Sequence, residues 1–261
     1  MRLKDKVAIV TGAGKGIGRA AALAAAAEGA TVVAVARTQS DLDETVRLIR
    51  EKGGTASSLS RDLTCGEQAA SMVDSVLQMY GRIDILINNA GGYPKEIYEG
   101  REHQAIRLWE WSEEQWDQII RTNLRIPFLC MRHVIPVMIR QGSGKIVNIC
   151  SVRSVIAGER SSAYSASKAA LLQMTRALAK EWGKYHINVN GLAPGYILTD
   201  MTAAAMNDPE IGRAAALAYA SQDVWRDGGP EGGAFCFLCF TRIRLCHRDT
   251  APGWTGGFYF D

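Results

Sequence analysis

The sequence has no uninterrupted apolar run long enough to span a bilayer, so no membrane partner is expected. It also lacks a dominant charge. Thirty lysines and arginines against 27 acids leave a formal net charge of +3, too small an excess to argue for nucleic acid or a membrane surface. The first residues, MRLKDKVAIVTG, enter a strand at once and hold no secretory h-region or cleavage site. A cytoplasmic, or at least reducing, compartment is expected. There is no internal repeat, no low-complexity tract and no second domain. Six cysteines are present, but none in a standard zinc spacing. Cys65, Cys130 and Cys150 fit packed free thiols. Cys236, Cys239 and Cys246-His247 cluster near the end, where C-x-x-C followed by C-H matches no known site, and no metal is expected.

What is present suits one globular domain. The 261 residues are 47% hydrophobic and 22% charged, enough for a full core. Short apolar runs alternate with helical patterns. Strands are expected at 6–11, 31–36, 56–61, 83–88, 145–151 and 187–192, and helices at 16–28, 40–52, 67–80, 113–140 and 162–185. This alternation predicts an α/β fold, a parallel doubly wound sheet with helices on both faces. The stretch 92–111 reads as a long polar and aromatic connection. It follows the fourth strand, so it should lie beside a substrate.

Two stretches carry chemistry. In SVRSVIAGERSSAYSASK, Tyr164 and Lys168 fall on one helical face, one turn apart. A tyrosine with a pKa of about 10 is a poor acid or base at neutral pH. A neighbouring ammonium favours the phenolate and should lower that value. The pair can then exchange a proton with an alcohol or carbonyl oxygen. Ser151 ends the apolar run KIVNICS, at the strand edge where open α/β sheets bind ligands. Near the start, VAIVTGAGKGIGRA is a strand, a glycine turn and a helix start, as a dinucleotide site requires. The turn lets a pyrophosphate approach backbone amides at the helix N-terminus. The pattern is T-G-x-x-x-G-I-G, with Gly12, Gly16 and Gly18.

With N-N-A-G at Asn88–Gly91 added, the chain resembles the classical short-chain dehydrogenase/reductase family over roughly residues 5 to 202. The resemblance implies an oxidoreductase that moves a hydride between a nicotinamide cofactor and a small carbonyl or alcohol substrate. Tyr164 would be the general acid/base, Ser151 would steady the substrate oxygen, and Lys168 would hold the nicotinamide ribose. Asn123, in TNLRIPF, would bend its helix and hold a proton-relaying water on its carbonyl, with Pro127 supporting a local break. Cofactor contacts are implied for Gly12, Lys15, Gly16, Ile17, Gly18, Asp62, Leu63, Asn89, Ala90 and Gly91. They are also implied for Pro194, Gly195, Ile197 and Thr199 in P-G-x-x-x-T. The second strand ends Val35-Ala36-Arg37 with no acid for a ribose 2′-hydroxyl. Arg37, with Lys15, suits a 2′-phosphate, so NADP is expected ahead of NAD. The nearest likeness is to 3-oxoacyl-carrier-protein reductases and related ketoreductases. Family members are mostly homotetramers or homodimers, so a homo-oligomer is expected.

Beyond about Ala218 the likeness stops. Read one base later with freely chosen codons, Tyr219–Asp227 can give MPLKTFGET, and residues 234–253 can give LFAFFASPESAYVTGTLLRV. These are the family features that the segment lacks. Two compensating frameshifts, near Ala218 and near Trp254, would produce this. If the tail of 219–254 stands as written, a cofactor-binding protein without turnover is the alternative function.

Overall fold

The computed structural model describes residues 1–94, 97, 106–156 and 161–195. Within them, six strands form one parallel sheet in the order β3-β2-β1-β4-β5-β6. The strands are β1 (Val7–Thr11), β2 (Thr31–Ala36), β3 (Thr55–Ser60), β4 (Ile85–Asn88), β5 (Gly144–Ile149) and β6 (Ile187–Leu192). The order runs outward from β1 in one direction and from β4 in the other. The crevice for a ligand therefore opens at the carboxyl ends of β1 and β4.

Parallel strands covered on both faces should read as continuous apolar runs, and these do. Every residue of β1 and of β4 is buried. Ala8 and Val10 face one core with Ala21, Ala22, Ala25 and Ala26 of α1 (Gly16–Ala27) and Leu42, Val46 and Ile49 of α2 (Gln39–Glu51). The alanines let α1 lie close to the sheet. Val7 and Ile9 face the other core with Met72, Val73 and Val76 of α3 (Gly66–Tyr80).

The single helix expected at 113–140 is three consecutive pieces: α4 (Glu113–Ile120), a π-turn (Arg121–Arg125) and α5 (Ile126–Gln141). Ser112 caps α4 as its sequence suggests, its hydroxyl accepting from the Gln115 amide at 3.1 Å. Within the π-turn the Ile126 amide bonds the Arg121 carbonyl, five residues back. Pro127 has no amide to offer Asn123, its α-helical partner, which favours a break at this place. The helix expected at 162–185 is α6 (Ser162–Trp182), ending in a 3₁₀ turn, Gly183–Tyr185.

At the amino edge of the sheet, the buried Asp84 carboxylate accepts from the Val7 amide at 2.9 Å and from Arg82 Nε and Nη2 at 2.8 and 2.6 Å. Lys6 Nζ lies 3.6 Å from it. No helix among the described residues is long and apolar enough to cross a membrane. The same residues hold no group of three potential metal ligands. The cysteine cluster after 235 lies outside them.

Candidate active site

The glycine turn is built by contact. A Cβ on Gly18 would sit 2.1 Å from the Gly12 carbonyl oxygen and 2.4 Å from Asn89 Nδ2. Gly12 and Gly16 have φ of +65° and +53°, which favour glycine. Ile17 packs its side chain against the first core. No side chain caps α1 and no acid stands in its first turn. Its amides and dipole are thus left for an anion, as the pyrophosphate of a dinucleotide requires.

Thr11, which opens the glycine motif, ties this turn to the loop after β4. Its hydroxyl accepts from the amides of Asn89 and Ala90, both at 3.0 Å, and donates to the Ile87 carbonyl. Asn89 Nδ2 returns a bond to the Thr11 carbonyl at 3.0 Å. Sequence reasoning assigned no site role to Thr11. Its place at the head of T-G-x-x-x-G-I-G is the signal that could have found it.

Arg37 is exposed at the carboxyl end of β2. Its carbonyl accepts from Ser60 Oγ at 2.8 Å. Asp62, just after β3, folds back on Thr64. Its Oδ1 accepts from the Thr64 amide and hydroxyl at 3.0 and 2.8 Å, and Cys65 stands at the helix N-cap. Burial opposes the Asp62 charge, but the two Thr64 bonds and nearby Arg37 outweigh it and hold the carboxyl below its ordinary value. Leu63 is buried in the second core. Lys15 Nζ lies 3.3 Å from Asp41 Oδ1. Asp41, in the first turn of α2, is thus the counter-ion of the glycine-loop lysine.

Ser151, Tyr164 and Lys168, the residues expected to handle the proton, converge where β5 meets α6. Ser151 follows β5, and its hydroxyl accepts from the Arg153 amide at 3.1 Å. Ser151 also stands close enough to the Tyr164 phenol to favour its charged form. Lys168 is buried; its Nζ donates to the Ile149 carbonyl, the last of β5, at 2.7 Å and lies 5.8 Å from the Tyr164 ring centroid. Lys168 was expected to lower the Tyr164 pKa. In this structure burial dominates and pushes the phenol above its ordinary value. The opposing pulls come from the Ser151 hydroxyl and the charge of Arg153, while the Cys150 thiol adds to the rise. Burial also brings Lys168 down to about 8, so its own cation is disfavoured in the free chain.

Asn123 sits fully buried in the π-turn. Its amide group reads the backbone of Gly92. Nδ2 donates to the Gly92 carbonyl and Oδ1 accepts from the Gly92 amide, both at 2.8 Å. Gly91 is pressed against this joint, for a Cβ there would lie 2.9 Å from Asn123 Oδ1 and 3.5 Å from Lys168 Nζ. Behind the site a buried polar ladder joins β4, β5 and α6. Asn88 Nδ2 donates to Asn148 Oδ1 at 2.8 Å, and Asn148 Nδ2 donates to Thr175 Oγ1 at 2.9 Å. After β6, the Pro194 carbonyl accepts from the Val152 amide at 3.2 Å, which docks the Pro194-Gly195 corner beside the Ser151 turn. Ile197 and Thr199 lie outside the described residues. So Gly12, Gly18, Asn89, Gly91, Asn123, Lys168 and Tyr164 adjoin one another, while Arg37 and Asp62 stand at the β2–β3 end of the same edge.

Comparison with known proteins agrees with this arrangement. Residues 6–210 match the family model described as short chain dehydrogenase. The 3-oxoacyl-[acyl-carrier-protein] reductase FabG of Thermotoga maritima is 39% identical over 231 residues, 88% of either chain. The gluconate 5-dehydrogenase of Gluconobacter oxydans is 37% identical over 204 residues, covering 78% of this chain and 76% of its own. Among solved structures, a gluconate 5-dehydrogenase of Burkholderia cenocepacia in complex with NADP and tartrate superposes with a TM-score of 0.80 at 31% identity. It covers 91% of this chain and 89% of its own. The chain therefore belongs to the short-chain dehydrogenase family, NAD(P)-dependent oxidoreductases that act on carbonyl and CH–OH groups.

Proposed function

We propose that the protein interconverts a carbonyl and a secondary alcohol using NADP(H), with Tyr164 as general acid/base. The observation that carries this is the gathering of Ser151 and Tyr164 beside buried Lys168, whose Nζ lies 5.8 Å from the Tyr164 ring centroid, on the edge where the glycine turn opens. When bound, NADP(H) supplies or accepts the hydride. Tyr164 gives a proton to the substrate oxygen in reduction and takes it back in oxidation. Ser151 hydrogen-bonds the same oxygen and steadies its developing charge. Lys168 favours the phenolate when protonated and holds the nicotinamide ribose. Asn123, its carbonyl spared an α-helical partner by Pro127, supports the water that feeds protons to Lys168.

Gly12, Gly16, Ile17, Gly18, Asn89, Ala90 and Gly91 present backbone to the cofactor. Pro194, Gly195, Ile197 and Thr199 would fix the nicotinamide. NADP is favoured because β2 ends in exposed Arg37 rather than a carboxylate, and because the Burkholderia relative was solved with NADP. Lys15 would turn from Asp41 to the 2′-phosphate. That exposed pair costs little to open. The relatives' names point to an acyl thioester or a sugar acid as substrate.

The working unit is a dimer or tetramer. Ile120, Leu124, Phe128, Ala170 and Met174, with Arg125 beside them, line a mostly apolar groove across α4–α6, with Phe128 exposed, and a second copy would cover it. The compartment is cytoplasmic, in keeping with the free thiols of Cys65, Cys130 and Cys150. Equilibrium titration with NADPH, followed by a carbonyl screen over diketones, acyl thioesters and sugars, tests the reading. Turnover with any of them supports it. Tight NADPH binding with no turnover would favour the cofactor-binding alternative.

A further inference from the structure

Tyr93 lies just beyond the N-A-G motif, 71 positions from Tyr164 in the chain, and no motif singles it out. Its ring nevertheless stacks on the Tyr164 ring, with centroids 4.5 Å apart and planes inclined by 24°. Three features hold it there. The residue before it, Gly92, has φ of +122°, which side chains rarely adopt. The Gly92 amide and carbonyl are both gripped by Asn123 at 2.8 Å, so the stack is aimed from a buried helix rather than from loose chain. Behind it, Tyr93 packs with Trp111 and Trp116 against a cluster of Ile97, Ile106, Ile119 and Ala163. Ala163 immediately precedes Tyr164.

We infer that Tyr93 is a positioning residue for the proton transfer: its ring backs one face of the Tyr164 phenol, so that the phenol cannot swing on its Cα–Cβ bond and its oxygen stays beside Ser151 and on the substrate oxygen. The inference rests on Tyr164 being the general acid/base. Rotation about the Cβ–Cγ axis leaves the para oxygen in place, but a swing about Cα–Cβ or a tilt of the ring carries it sideways, and a stacked neighbour opposes both. Small misplacements at a reacting centre are costly, up to about a hundredfold for 1 Å. The clamp gives the Asn123 side chain a task of its own, separate from any task of its carbonyl. It carries the geometry of the π-turn through Gly92 and Tyr93 to the phenol.

Steady-state kinetics and NADPH titration on Tyr93→Phe, Tyr93→Leu and Tyr93→Ala test the idea. Tyr93→Phe keeps the stack and should hold kcat within about twofold. Tyr93→Leu fills the space without a flat ring and should lower kcat about tenfold, with NADPH affinity and melting temperature near wild type. If Tyr93→Ala unfolds, Tyr93→Leu still decides the matter. Leu retaining wild-type kcat overturns the inference while leaving Tyr164 in its role. Phe failing as badly as Leu overturns it too, because the hydroxyl rather than the ring would matter. A Tyr164→Phe variant as active as wild type would instead remove the reading beneath it.

Discussion

Gly18 lies so close to Gly12 that a single methyl on it would meet the Gly12 carbonyl oxygen at 2.1 Å. Gly18→Ala must therefore move the turn that faces the cofactor. Overpacking of this kind costs about 1–3 kcal/mol. Gly53 offers a control. Its φ is +79°, but nothing lies within 4 Å of a Cβ there, so Gly53→Ala carries only the backbone strain of about 1–2 kcal/mol. Both variants should lose stability in urea unfolding, and only Gly18→Ala should lose NADPH affinity. Intact NADPH binding by Gly18→Ala would contradict the placement of the site.

Tyr164→Phe keeps the ring and removes the exchangeable proton. Loss of one general acid costs about 10²–10⁴ in rate, while NADPH affinity should barely move. Single-turnover reduction of any active carbonyl measures this. Most of the wild-type kcat surviving would assign the proton to another group.

Arg37→Asp puts a carboxylate where β2 ends. A charge-assisted bond to a 2′-phosphate is worth about 1.5–3 kcal/mol, so the ratio of kcat/KM for NADPH over NADH should fall more than tenfold. A wild-type protein that already prefers NADH would sink the assignment before any variant is made.

Lys168 links stability to pH. Its ordinary value is 10.5 and burial lowers it to about 8 in the folded chain. Between those values the unfolded chain holds the extra proton, so this group makes the fold more stable as pH rises. Lys168→Met lacks the effect. In cofactor-free protein, wild type should therefore gain on Lys168→Met between about pH 7.5 and 9.5, read from urea midpoints. Cys130, raised by burial to about 12, works the other way above pH 9 in both proteins and cancels in the difference; Cys150, raised to about 11, feels the Lys168 charge, so the comparison is made with Cys150→Ala in both proteins. A flat difference would show that Lys168 keeps its proton in the folded state.

The tail is settled by intact mass with peptide sequencing of residues 219–254. The frameshift account expects peptides reading MPLKTFGET and LFAFFASPESAYVTGTLLRV in place of the sequence as it stands. The unaltered sequence, together with a well-packed last helix and strand, would refute it. Burying Arg242, Arg244 and Arg248 unpaired would make that packing costly, where the family resemblance implies a buried helix and last strand.

Much of the fold was legible because the signals are local. VAIVT and ILIN are apolar at every position but their ends, and only strands buried on both faces need that. The π-turn was legible in part, since TNLRIP sets a proline where the Asn123 carbonyl would seek an amide. Long-range pairings were not legible. Nothing near Asn123 says that its side chain meets Gly92, 31 residues earlier. Nothing near Asp41 says that it answers Lys15. The Tyr164 pKa was misjudged for the same reason: helical spacing shows the nearby lysine but not the depth of burial that outweighs it.

Strands β1 and β4 are pinned at both ends. Asp84 holds Val7 at one edge, and Thr11 holds Asn89 and Ala90 at the other. Sliding one strand past the other would break both joints at once. The two loops proposed to hold the cofactor are therefore joined as a single jaw, shaped by the sheet. Whatever gives way to admit or release a dinucleotide must lie outside that jaw, and the tightness of the grip is then settled during folding rather than during turnover.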